Sequence, residues 1–158
     1  MLSPAFVSAL QTLSSRLADS STDWAIGASC SLALHGIDVD PHDIDLDSSA
    51  TGAYRIEQQC RDLLARPVQF VASPQIRSHW GALAIDGIQV ELIGDFQVLR
   101  GDGSWAPPPD VRQLREFVTL DDLRLPVMPL AYVRGAYCLL GKVRQAALID
   151  RWLADHGT

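Results

Sequence analysis

The sequence predicts an α+β fold, a small mixed β-sheet packed by helices, and three observations carry that expectation. Apolar residues recur at helical spacing in the first and last parts of the chain. Between them lie short runs of period-two alternation separated by turn-forming residues. One of those separators is Asp86-Gly87, a pair that tolerates the left-handed backbone of a two-residue hairpin turn. A chain of 158 residues suits one domain, residues 1–158, and buries roughly two-thirds of its unfolded surface.

Composition excludes several classes. Hydrophobic residues make up 47% and charged residues 20%, close to globular averages, so neither disorder nor a fibrous repeat is expected. With 13 Lys+Arg against 19 Asp+Glu the formal net charge is -6, and no basic run could neutralise phosphates along a duplex. A nucleic-acid partner is therefore not expected. No apolar run approaches the ~20 residues of a membrane helix, and Met1-Leu2-Ser3-Pro4 lacks the charged start of a signal peptide, so a cytoplasmic location without membrane contact is expected. Cys30, Cys60 and Cys138 are odd in number, far apart and set in apolar helical patterns, which reads as buried thiols rather than a disulfide or metal set.

Phe6, Leu10, Leu13 and Leu17 predict a helix over residues 4–19, closed by the polar stretch from Asp19 to Asp23. Trp24-Ala25-Ile26-Gly27 reads as a buried strand and residues 28–35 as a short helix ending at Gly36. Asp43-Ile44-Asp45-Leu46-Asp47 alternates acid and aliphatic, so the three acids share one face of a half-buried strand. A helix is expected over 53–64, with Leu63 and Leu64 inward, and a strand over 67–72. In the hairpin over 80–93, pairing Ile85 with Ile88 places Leu83 opposite Val90 and Ala82 opposite Glu91. Residues 99–110 are too rich in Gly and Pro for regular structure and read as a long loop. A second hairpin around Asp121-Asp122 and two helices, 130–140 and 142–153, punctuated by Gly141, complete the chain. The sheet is expected to hold about five strands, with a core over residues 20–127 and a short helical C-terminal extension over 129–155.

Chemistry concentrates in one constellation. Two aspartates two apart on a strand project from the same face, where carboxylate oxygens suit hard cations such as Mg2+ or Mn2+. Glu91, on a separate strand, supplies a third acid that completes a metal cage or accepts a substrate proton. A calcium loop starting at Asp43 is excluded: Ser48 stands where that loop needs glycine and Tyr54 where it needs glutamate. Asp47 is read as a solvated or capping residue near Ser48 and Ser49. Arg77 and Lys142 are candidates for phosphate contact, with ordinary surface charge as the alternative.

The run Ile26-Gly27-Ala28-Ser29, followed by Asp43-Ile44-Asp45-Leu46 and by Glu91 in the later strand Val90-Glu91-Leu92-Ile93, resembles the DNA-polymerase-beta type nucleotidyltransferase superfamily. The likeness covers residues 24–93 and is closest to the small stand-alone members, among them lincosamide and aminoglycoside nucleotidyltransferases and minimal antitoxin-type ones. It implies the nucleotidyltransferase fold, with Asp43, Asp45 and Glu91 as catalytic and metal-binding residues. It also implies transfer of a nucleoside monophosphate, AMP from ATP, to an acceptor hydroxyl with release of pyrophosphate. Gly27, Ala28 and Ser29 would cradle the triphosphate; Ala28 departs from the pattern, where a second glycine or the serine is usual. The acceptor, a small molecule or a protein hydroxyl, is not encoded in any motif. The rival expectation is an antitoxin-like or regulatory nucleotide-binding module acting through a protein partner, with a homodimer or a toxin-like partner as its assembly.

Overall fold

The computed structural model describes residues 2–18 and 21–157. Helix α1 spans Pro4–Leu17; Ser3 caps it, its hydroxyl accepting from the Phe6 amide at 3.3 Å, and Pro4 suits a first turn that has no use for an amide donor. Asp19 and Ser20, expected to close this helix, lie outside the described residues. Strand β1 (Trp24–Gly27) runs directly into α2 (Ala28–Leu34), and Gly36 ends that turn at φ 101°. Strand β2 is Ile44–Ser48 and α3 is Ala50–Gln59, capped by Ser49, whose hydroxyl accepts from the Gly52 amide at 3.0 Å.

The helix expected over 53–64 thus begins and ends earlier. A tight turn, Arg61–Leu63, follows it, and Leu64 already belongs to β3 (Leu64–Ala72), because its backbone pairs with Leu83 of the next strand. Strands β4 (Ile76–Ile85) and β5 (Ile88–Val98) form the hairpin with the expected register, Ile85 opposite Ile88, Leu83 opposite Val90 and Ala82 opposite Glu91. Asp86 and Gly87 carry the turn at φ 52° and 79°. After a loop tied back by the Leu99 and Trp105 bridge comes a single turn of helix, α4 (Val111–Leu114). A second hairpin follows, β6 (Glu116–Leu120) with β7 (Leu123–Val127), and then α5 (Leu130–Leu139) and α6 (Val143–Asp155) with Gly141 between them.

The sheet has seven strands in the order β3-β4-β5-β2-β1-β7-β6, not about five. The added width comes from the second hairpin, which joins the same sheet through a parallel bridge from Val127 to Ile26. Period two divides the central strands into two faces. Ile44 and Leu46 of β2, with Val90 and Leu92 of β5, are fully buried in the core that α1 and α3 cover. Burying each such side chain contributes about 1.5–3 kcal/mol, which anchors these strands in one register. Val133, Tyr137 and Ile149 pack α5 and α6 into a second cluster with Ala25 and Met128. Cys30 and Cys60 are buried as expected, whereas Cys138 is exposed. On α5 it follows the inward stripe of Leu130, Val133 and Tyr137 by one position, which turns it about 100° away. Among the described residues no helix is long and apolar enough to cross a membrane.

Candidate active site

The acids gather where β1, β2 and β5 run side by side. Strands β2 and β5 are parallel with Asp45 beside Glu91, and on its other flank Asp45 pairs with Gly27 at the end of β1. Because Ile44 and Leu46 face the α1/α3 core, Asp45 and Asp47 face the opposite side, together with Glu91. These three acids, with Ala28, Tyr137 and Lys142, are among the residues lining a cavity of about 270 Å³. Asp43 stands one residue before β2, outside that lining but near enough for its charge to act on Asp45.

Burial, then a hydrogen bond with Glu91, then the charges of Glu91, Asp47 and Asp43 hold the Asp45 carboxyl far above the ordinary carboxylate range. Ionisation of Asp45 is therefore disfavoured in the folded protein. Asp47 is only 8% exposed, and burial pushes it up to about 7. The ion pairs among the described residues, Arg16 with Asp62, Arg112 with Asp23 and Arg134 with Asp150, leave this cluster uncompensated. Its donors are carboxylate oxygens with no soft ligand among them, the chemistry that a hard divalent cation takes. Among the described residues no three acids close to the spacing of a metal cage.

A raised carboxyl pKa means that the folded protein binds a proton the unfolded chain has released, so stability falls as pH rises between the two values. For Asp47 that window runs from its ordinary 3.8 to about 7. Urea unfolding in the presence of a chelator is expected to show roughly 2–4 kcal/mol less stability at pH 8 than at pH 4.5 from this group, and Asp47→Asn should flatten that slope. An unaltered slope in the variant would refute this account of Asp47.

The corner between β1 and α2 is set by two different constraints. Gly27 is extended, φ -116°, so it needs no left-handed freedom; a β-carbon there would meet Asp47 Oδ2 at 2.2 Å. The space beside Gly27 is occupied by the Asp47 carboxylate. The left-handed residue is Ala28, at φ 49°. A non-glycine residue in that region bears about 1–2 kcal/mol of strain, so Ala28→Gly is expected to raise stability by about 0.5–1 kcal/mol, measured as a melting-temperature increase. A lower melting temperature would mean the strain is absent. Ser29 follows in the first turn of α2 and is partly exposed.

A family model described as aminoglycoside-2''-adenylyltransferase matches residues 9–152. The chain belongs to that family. It is a nucleotidyltransferase, and its fold agrees: a candidate nucleotidyltransferase from Thermotoga maritima, 35% identical, superposes with a TM-score of 0.86 over 98% of this chain and 96% of that one. The lincosamide antibiotic adenylyltransferase LnuA, solved with lincomycin bound, shares the fold at 12% identity and a TM-score of 0.53, over 94% of this chain and 97% of that one. A comparison with curated protein sequences finds no match.

Several expectations for this nucleotidyltransferase change with the structure. Asp47 is neither solvated nor a cap; Ser49 caps α3, and Asp47 lies inside the acid cavity. The same alternation that paired Asp43 with Asp45 already put it on this face. Arg77 is not at the cavity: it lies within β4, its Nε donates to Gln97 Oε1 at 2.8 Å, and its guanidinium stacks 4.3 Å from the Trp105 ring. Counting by two from Ala82, the partner of Glu91, places Ile76 on the acid face and Arg77 on the other. Lys142 does line the cavity, its amine 5.7 Å from the centre of the Tyr137 ring.

Two tyrosines of α5 went unnoticed in the sequence. Burial first, and then the charge of Asp45, pushes Tyr137 up to about 12, while burial and the charge of Asp47 raise Tyr132 further. Both phenols thus stand close to the acids. Helical spacing announced α5, but nothing local to residues 130–140 says which face of the sheet the helix covers.

Proposed function

We propose that the protein transfers the AMP unit of ATP to a hydroxyl group of a small acceptor molecule and releases pyrophosphate, with Mg2+ or Mn2+ held by Asp43, Asp45 and Glu91. The observation that carries this reading is the register of β2 and β5, which sets Asp45 beside Glu91 in an uncompensated cluster of acids on a nucleotidyltransferase fold. When bound, the cation supplies charge for the phosphate oxygens and for the attacking and leaving oxygens of an in-line displacement. The acceptor oxygen forms a bond to the α-phosphorus, the bond from that phosphorus to the α,β-bridging oxygen breaks, and its electron pair leaves with pyrophosphate. Glu91, the partly exposed acid beside Asp45, takes the hydroxyl proton.

Lys142 offers the cavity a cation for the triphosphate, and the Ser29 hydroxyl with the amides after Gly27 offers donors to it. A small acceptor is favoured by the family description and by the lincomycin seen in LnuA. The test is transfer of the labelled α-phosphate of ATP to an acceptor panel, with and without divalent cation. Label transfer and pyrophosphate release that both require the cation are expected. Absence of ATP binding by calorimetry with either cation would overturn the proposal.

A further inference from the structure

Beside the acid cavity lies a second hollow of about 440 Å³ between the end of β5 and the outer side of α5. Phe96, Tyr132 and Ala136 line both spaces, so the two adjoin across a partition of two aromatic rings and a methyl group. The two halves differ in chemistry. The first holds Asp45, Asp47, Glu91 and Lys142, whereas the second is walled by Val98, Pro107, Ala131 and Leu139 and has no charged side chain in its lining.

A β-bulge shapes this partition. Between the pairs His79–Gly94 and Arg77–Gln97, β5 carries one residue more than β4, and Asp95 takes a left-handed φ of 50°. The extra residue turns Phe96 onto the face of Glu91 and Ile93, where it meets α5. The loop over 99–110 closes the far side, its Ala106 amide donating to the Val98 carbonyl at 2.9 Å.

We infer that the second hollow is the acceptor subsite, and that it selects a neutral acceptor joining a hydroxyl-bearing polar end to an apolar body rather than a polycationic sugar. This rests on the proposed adenylyl transfer and names its substrate class. Ammonium groups of an aminoglycoside would need carboxylates along the subsite, and the hollow lines none. A nucleobase would need hydrogen-bonding partners along its edge, and apart from Tyr132, which lines both spaces, and the Cys138 thiol the side chains of the hollow are apolar. An apolar body seated against Val98 and Leu139 leaves its attached hydroxyl to pass the partition toward Glu91.

Alkyl glucosides, equal in hydroxyl groups and differing in apolar length, test this directly, with kanamycin as the polycationic comparison. For wild type, kcat/KM is expected to be about 50-fold higher with octyl glucoside, kept below its micelle concentration, than with methyl glucoside, and lowest with kanamycin. Gly135 sits on the hollow, and a β-carbon added there meets no heavy atom within 4 Å, so Gly135→Phe should fill the space without disturbing the fold. That variant is expected to lose the octyl preference about tenfold or more while keeping its affinity for ATP.

Cys138 gives a readout that does not depend on turnover, because it lies in the wall of the hollow and is exposed while Cys30 and Cys60 are buried. Octyl glucoside should slow its reaction with a maleimide in wild type but not in Gly135→Phe, and ATP with Mg2+ should leave it unchanged. Shielding of Cys138 by ATP, or weaker ATP binding by Gly135→Phe, would place the nucleobase in the hollow and overturn the inference. A preference for kanamycin would overturn it as well. If no acceptor is adenylylated, the transfer reading fails on its own, and shielding of Cys138 by octyl glucoside still decides whether the hollow takes an apolar body.

Discussion

Asp45→Asn is expected to reduce AMP transfer by about a thousandfold or more, equivalent to losing roughly 4 kcal/mol of transition-state stabilisation. The same substitution should raise the melting temperature of the chelator-treated protein, and more at pH 8 than at pH 5. Asparagine matches the shape of the protonated acid that the fold already prefers, since burial and the neighbouring Glu91 oppose ionisation of Asp45. A purely structural acid would give the reverse pattern, with activity following stability. Pyrophosphate release and thermal melts on one preparation separate the two, and a variant retaining more than a tenth of wild-type activity would remove Asp45 from the site.

Gly27→Val should have the largest effect on stability, a loss of about 2–4 kcal/mol from overpacking. The new β-carbon would stand 2.2 Å from Asp47 Oδ2 and 3.3 Å from Asp47 Cγ, with Met128 Cγ at 3.8 Å beyond. Asp47 would have to leave its buried position, and the sheet end that carries Asp45 would move with it. Pairing the substitution with Asp47→Ala tests the cause: the two changes together should cost at least 1 kcal/mol less than the sum of the separate costs. Strict additivity would mean that the clash is not with Asp47. ATP affinity of the double variant then reports how far Gly27 also serves the triphosphate, a question separate from packing.

The sequence by itself determined the local architecture of this nucleotidyltransferase. Asp86-Gly87 dictated a two-residue turn, and the turn with its flanking alternation dictated the register that brings Glu91 opposite Ala82. Alternation likewise put Asp45 and Asp47 on one face, while Asp43 fell just before the strand, and Gly141 separated the two final helices. These features depend on residues within a few positions of one another, where turn chemistry and side-chain period act directly.

Tertiary structure decided what depends on neighbours distant in sequence. That Glu91 lies beside Asp45 follows from β5 pairing with β2, a parallel contact no turn encodes. Asp47 became a buried member of the acid cluster because Gly27, twenty residues earlier, leaves room for its carboxylate. Arg77 was drawn to Gln97 and Trp105, outside the lining of the acid cavity. The helix that closes the cleft, α5, brings Tyr132 and Tyr137 to the acids because its apolar stripe must be buried somewhere, and only the packed sheet shows which face remained open to receive it.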